Sequence, residues 1–119
     1  MEAPVNLIVT CDSSRSGPQV LGRHSMPETD VYSTCCAIQN LWLAARAENI
    51  GVGWVSIVKP EDLYRIFNIP LQIKIIAYLC LGYVTHFEEK PDLERLGWAK
   101  RLSLKELVYF EKWGAKENL

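Results

Sequence analysis

At 119 residues, 49% of them hydrophobic and 23% charged, the chain has material for one domain with a core of its own and none for a second. Thirteen basic against fourteen acidic side chains leave a net charge of -1, too balanced to attract polyphosphate at long range, so nucleic acid is not an expected partner. The most apolar stretch, residues 75–84, is short and holds Tyr78, Cys80 and Gly82. A spanning helix needs about 20 apolar residues, so no membrane span is expected.

Met1 is followed by Glu2, Ala3 and Pro4 rather than by a basic start and an apolar run, which sets the expected address as the cytoplasm. Residues 4–11 are rich in β-branched and apolar side chains and read as a strand that stops at the polar cluster Asp12 to Pro18. A loop is expected to run on to Thr29, because Gly17, Pro18, Gly22 and Pro27 interrupt any regular period. Loops of that length in compact domains are often functional.

A helix is predicted over residues 30–49, with Thr29 or Asp30 as its cap and Gly51 just past its end. Val31, Cys35, Ile38, Trp42 and Ala45 make one apolar face, while Cys36, Leu43 and Ala47 lie off that stripe. Apolar residues on two faces imply cover on two sides, and a second subunit is one source of it. Residues 53–58 read as a second strand, and Pro60 opens a short helix over residues 61–67. Residues 74–84 are a near-continuous apolar run, the pattern of a strand covered on both faces. Strands and helices alternate, so the class is α/β or α+β. Three strands and a two-sided helix require more covering surface than this layout supplies.

The tail differs in kind. Residues 88–117 carry fourteen charged side chains, seven of each sign, against eight in residues 1–58. With Trp98, Tyr109, Phe110 and Trp113 among those charges, the tail is expected to wrap a surface. The division expected is residues 1–87 as the folded domain and residues 88–119 as an extension that covers it or a partner.

Cys11, Cys35, Cys36 and Cys80 form no C-x-x-C pair and have no histidine at ligand spacing, so no metal site is expected. They read as small buried hydrophobes in a reducing compartment. Gly51-Val52-Gly53 closes a helix and opens a strand, the reverse of the dinucleotide fingerprint, and reads as a helix cap and a close strand start. His24 and His86 sit in no nucleophile pattern and read as loop histidines. Asp12 to Pro18 suits a turn or, through its small polar residues, an anion site. Lys100 and Arg101 are either a solvated pair or a phosphate contact, Arg101 being the better fork for two phosphate oxygens. A helix-like stretch, residues 103–109, follows them.

Three blocks, residues 3–12, 30–48 and 51–57, together resemble the 5,6-dimethylbenzimidazole synthase family of the nitroreductase superfamily in order and spacing. The match continues through Leu21-Gly22-Arg23, Leu79-Cys80-Leu81-Gly82, Gly97-Trp98, Arg101 and Trp113-Gly114. The resemblance implies an α+β nitroreductase-like fold, here partial, with a long central helix, a mixed sheet and FMN held at a subunit boundary. It implies a homodimer or pairing with a separate N-terminal half. It implies an FMN-dependent oxidoreductase in which reduced FMN, itself the substrate, meets O2 and fragments so that a ribityl carbon closes the benzimidazole ring of the cobalamin lower ligand.

On the same resemblance the strand of Trp54, Val55 and Ser56 runs beside the flavin, with Ser56 near the N5 and C4a edge, where its hydroxyl donates to N5 or steadies an oxygen adduct. Arg101 matches the phosphate-binding arginine and Lys100 assists it. Relatives carry roughly another hundred residues ahead of Ala3. The arginine-rich phosphate segment and the aspartate tied to fragmentation belong there, and Asp12 and Asp30 match other positions. A truncated or split flavoprotein is therefore expected. The alternatives are a non-catalytic dimerising or flavin-binding module and an FMN-dependent reductase of nitro compounds or quinones.

Overall fold

The structure, a computed structural model, describes residues 3–15 and 22–116. The elements run β1 (Val5–Cys11), α1 (Thr29–Ala47), β2 (Ile50–Val55), α2 (Pro60–Ile66), β3 (Lys74–Tyr83), α3 (Asp92–Arg95) and α4 (Leu104–Leu107). They fall into two compact units, Met1–Thr85 and His86–Leu119. Ser16, Gly17, Pro18 and Leu21 of the expected loop lie outside the described residues.

In the first unit the sheet order is β1-β3-β2. Both described pairings are antiparallel, where a mixed sheet was expected. The reason is topological. The chain leaves β1, crosses through α1 and returns as β2 in the same direction, but β3 inserts between the two and runs the opposite way. No parallel ladder can then form.

Register fixes the core. Residues directly opposite in antiparallel strands share a face. Val5, Leu7 and Val9 therefore line up with Leu81, Leu79 and Ala77, and across the other ladder Val52 and Trp54 meet Leu81 and Leu79. Helix α1 lays Ile38 and Leu41 on this face, so Ile38, Ala77 and the fully buried Leu79 form the core cluster. Burying a leucine completely contributes about 2 kcal/mol.

The apolar run of β3 is not covered equally on both faces as its sequence suggested. Ala77 and Leu79 are buried, but Ile76, Tyr78 and Cys80 between them are only half-buried. A continuous run marks the central strand of the sheet without specifying that each side has a lid. Helix α1 is likewise one-sided within this chain: Val31, Cys35, Ile38, Trp42 and Ala45 are buried or half-buried, while Cys36, Leu43 and Ala47 are exposed. Leu41, off the expected stripe, packs against the core.

The boundaries of α1 differ from the expected caps. Glu28 occupies the N-cap position, because the Thr29 hydroxyl donates to the Met26 carbonyl (3.0 Å) and Asp30 is already inside the first turn. At the other end Asn49, not glycine, takes the left-handed conformation (φ 59°) that terminates the helix. Gly51 and Gly53 consequently lie inside β2. Gly51 is needed for close approach, since a Cβ there would stand 2.5 Å from Val84 Cγ1.

Pro60 begins α2, where its missing N–H costs nothing. The helix buries Leu63 and is tied to the start of β3 through Tyr64, whose hydroxyl donates to the Ile73 carbonyl (2.9 Å) and accepts from the Ile75 N–H (3.4 Å). The second unit contains two single-turn helices. The helix expected over residues 103–109 is confined to Leu104–Leu107, because Val108 is extended (φ -99°, ψ 130°). Trp98 and Trp113 are exposed, and the Tyr109 and Trp113 rings stack at a tilt, 4.8 Å between centroids.

Candidate functional site

Strand β2 ends at Val55, three residues before the expected limit. Ser56 is the first residue beyond it, on the short connection that Pro60 converts into α2. Trp54 and Ser56 are exposed, Val55 is half-buried, and Ile57 is 97% exposed. Ser56 thus stands at the rim of the sheet, one residue past the strand end.

Earlier in β2, at Gly53, the sheet presents a small, polar row. Asn6 pairs with Cys80, and Cys80 pairs with Gly53, so these three residues lie side by side across all three strands. Asn6 Oδ1 accepts from the Tyr78 hydroxyl (3.1 Å) and the Cys80 thiol (3.2 Å). A Cβ added at Gly53 meets nothing within 4 Å, the opposite of Gly51. The result is a stretch of β2 backbone that a flat ligand can approach closely, three residues before Ser56. Asn6 was not singled out from the sequence; its one signal is an amide inside an apolar strand.

A second polar cluster closes the base of the loop between β1 and α1. Asp30 Oδ2 accepts from the Ser13 hydroxyl and from Arg23 Nη1 (3.3 Å), Oδ1 accepts from the Val31 N–H (2.8 Å), and Arg23 Nη1 also donates to the Ser13 carbonyl (2.8 Å). The Ser13 hydrogen bond, with the Val31 N–H and the charges of Arg23 and Lys74, holds the Asp30 carboxyl below its ordinary range. Sequence reading cast Asp30 as a helix cap. Its actual partners are 17 and 7 positions away, across the loop.

Asp12 starts a local turn, accepting from the Ser14 N–H (3.0 Å) and hydroxyl and from Arg15 Nε (3.1 Å), and the Ser14 hydrogen bonds lower its pKa most. An open cavity of about 640 Å³ lies beside this turn, lined by Thr10, Asp12, Arg15, Asn68 and Gln72 among others. His24 is exposed, and His86 Nε2 lies 3.1 Å from Glu88 Oε1. The four cysteines are free, with Cys11 buried, Cys35 and Cys80 half-buried and Cys36 exposed. No group of potential metal ligands occurs among the described residues, and no helix among them is long and apolar enough to cross a membrane.

Lys100 and Arg101 belong to the second unit and are exposed. Arg101 Nε lies 3.4 Å from Glu94 Oε2, and both basic residues line a cavity of about 170 Å³ with Pro91, Leu93, Glu94 and Ala99. Ser56 and Arg101 are thus carried by different units.

Comparison with known proteins identifies the family of the chain. Residues 1–83 match the model of the Nitroreductase family. The chain is 45% identical over 100 residues to a 5,6-dimethylbenzimidazole synthase of Rhodospirillum rubrum, covering 84% of this chain and 47% of that protein. It is 42% identical over 101 residues to a 5,6-dimethylbenzimidazole synthase of Rhodobacter capsulatus, covering 85% and 49%. The chain spans about half the length of the curated relatives it matches. Its fold is that of the crystal structure of a nitroreductase family protein from Clostridium difficile 630, at a TM-score of 0.67 and 22% identity over 92% of this chain and 60% of that one.

Proposed function

Because the chain belongs to the nitroreductase family, we propose that it is the flavin-facing half of an enzyme of the 5,6-dimethylbenzimidazole synthase type, acting in cobalamin biosynthesis by oxygen-dependent fragmentation of reduced FMN. The observation that carries the reading is Ser56, exposed just past the end of β2, on the strand whose backbone is open at Gly53 three residues earlier. A planar ring fits against such a strand without displacing any side chain at Gly53, so the residues present are compatible with FMN. Trp54 and Val55 hold the ring edge, and Ser56 offers a hydroxyl that can donate a hydrogen bond or pass a proton at its Oγ. In the second unit Arg101, with Lys100, contributes phosphate contacts. When bound, FMN supplies both the redox chemistry with O2 and the carbon skeleton of the product; the protein binds, orients and limits water.

The test is chemical. The chain incubated with reduced FMN in air should yield dimethylbenzimidazole by chromatography, and Ser56→Ala should lower the yield about a hundred-fold while leaving FMN affinity within a few-fold. No product from the unaltered chain over a long incubation sinks the catalytic reading for this polypeptide.

A second reading, a non-catalytic module that dimerises or docks with a separate N-terminal half, is favoured by one observation. Helix α1 leaves Tyr32 and Leu43 52% and 59% exposed, although its opposite face is engaged by the sheet. Sedimentation that finds a stable monomer with no self-association removes its motive.

A further inference from the structure

Unit two contains two arginines with carboxylate neighbours, and they are held differently. Arg95 gives both Nε (3.0 Å) and Nη2 (2.7 Å) to the same Asp92 oxygen, which uses up the side of its guanidinium that could fork onto another acid. Arg101 comes nearest Glu94 through Nε, at 3.4 Å, with no hydrogen bond from its terminal amino groups among the described residues, and its side chain is 77% exposed. Both terminal amino groups of Arg101 are thus left to a ligand.

Glu94 is itself steadied. It sits in α3, its carboxylate is half-buried at 34% exposure, and Lys90 Nζ approaches its other oxygen at 3.9 Å. Its side chain and that of Arg101 border one small concavity, whose apolar wall is Pro91, Leu93 and Ala99 and whose other cation is Lys100. An arginine on a flexible stem loses less rotamer entropy on binding an anion when one of its nitrogens is already tethered.

We infer that Glu94 is a positioning residue for Arg101, holding its guanidinium by Nε so that the two terminal amino groups meet a phosphate monoester dianion end-on. This rests on the proposed role of Arg101 as a phosphate contact. It also makes a claim of sign. A carboxylate beside a phosphate site would ordinarily repel the ligand, so removing it should help; a tether should do the reverse.

The experiment measures dissociation constants of the full chain for FMN and for riboflavin, by flavin fluorescence, and uses their ratio to isolate the phosphate. The unaltered chain should favour FMN on the order of ten-fold, and Arg101→Ala should bring the ratio near one. Glu94→Ala should lower the ratio roughly three-fold, as expected for an exposed pair, while Glu94→Gln, which keeps an oxygen acceptor, should restore most of it. If Arg101→Ala collapses the ratio but Glu94→Ala leaves or raises it, the positioning role is overturned and the phosphate role stands. If the unaltered chain does not favour FMN, or Arg101→Ala changes nothing, both are overturned.

Discussion

Leu79→Ala should remove a large part of the stability of the first unit. Among the described residues Leu79 is the one large side chain with no exposure at all, on the central strand, opposite Leu7 on one side and Trp54 on the other and under Ile38 of α1. The truncation withdraws three carbon groups at about 0.8 kcal/mol each and leaves a cavity walled by two strands and a helix, which cannot all close in at once. The expected loss is about 3 to 4 kcal/mol. Against a typical total of roughly 5–15 kcal/mol for a domain, that is enough to shift the urea midpoint far toward zero. Equilibrium unfolding followed by far-ultraviolet circular dichroism and by tryptophan fluorescence checks it, with Leu71→Ala, at an 84% exposed position, as the control expected to change little. A loss for Leu79→Ala no larger than that of the control refutes the packing of α1 on β3.

Asp30 supplies a pH dependence. Its folded pKa lies below the ordinary value of 3.8, so the unfolded chain binds the proton first; the stabilisation is present above that value and is lost as pH falls through the lowered folded pKa. Denaturant midpoints measured from neutral pH down to about pH 2 should fall more steeply for the unaltered chain than for Asp30→Asn, with Asp12→Asn showing a separate effect of the same sign; equal slopes for all three would falsify the assignment. Tyr64→Phe removes the hydroxyl shared by the Ile73 carbonyl and the Ile75 N–H. It should cost about 1 kcal/mol and speed amide exchange at Ile75, and unchanged exchange there contradicts the tie between α2 and β3.

What the sequence disclosed was local. The β-branched run of β1, the helical stripe of α1, Pro60 at the start of α2 and the apolar length of β3 are each encoded within one segment, and each element formed where its pattern lay. The start of β2 was missed because Gly51 and Gly53 resemble punctuation, whereas Asn49 performs the left-handed turn and the glycines serve a close approach to Val84 and an open face beside Cys80. Which face of β3 is covered depends on α1, forty residues earlier, and no run of apolar letters encodes that. At the candidate site, Trp54, Val55, Ser56, Lys100 and Arg101 stood out through resemblance and adjacency. Asn6 and Glu94 did not, since their partners are reached across strands and an irregular turn respectively, and Arg23 stood out only within Leu21-Gly22-Arg23, its pairing with Asp30 being formed across a loop.

The strand order has a consequence for how the chain acquires its fold. β3 is last of the three in sequence and central in space, so the ladder of β1 cannot begin before Lys74, paired to Cys11, nor finish before Leu81, paired to Val5. During synthesis β1 and β2 both precede the strand they pair with, and among the described elements made before it α1 is the one packed against both. Closing so long a span before any sheet hydrogen bond compensates is entropically slow. The apolar run of β3 therefore arrives as the clasp that joins two waiting edges, and a nascent chain halted before Lys74 has no ladder to lose.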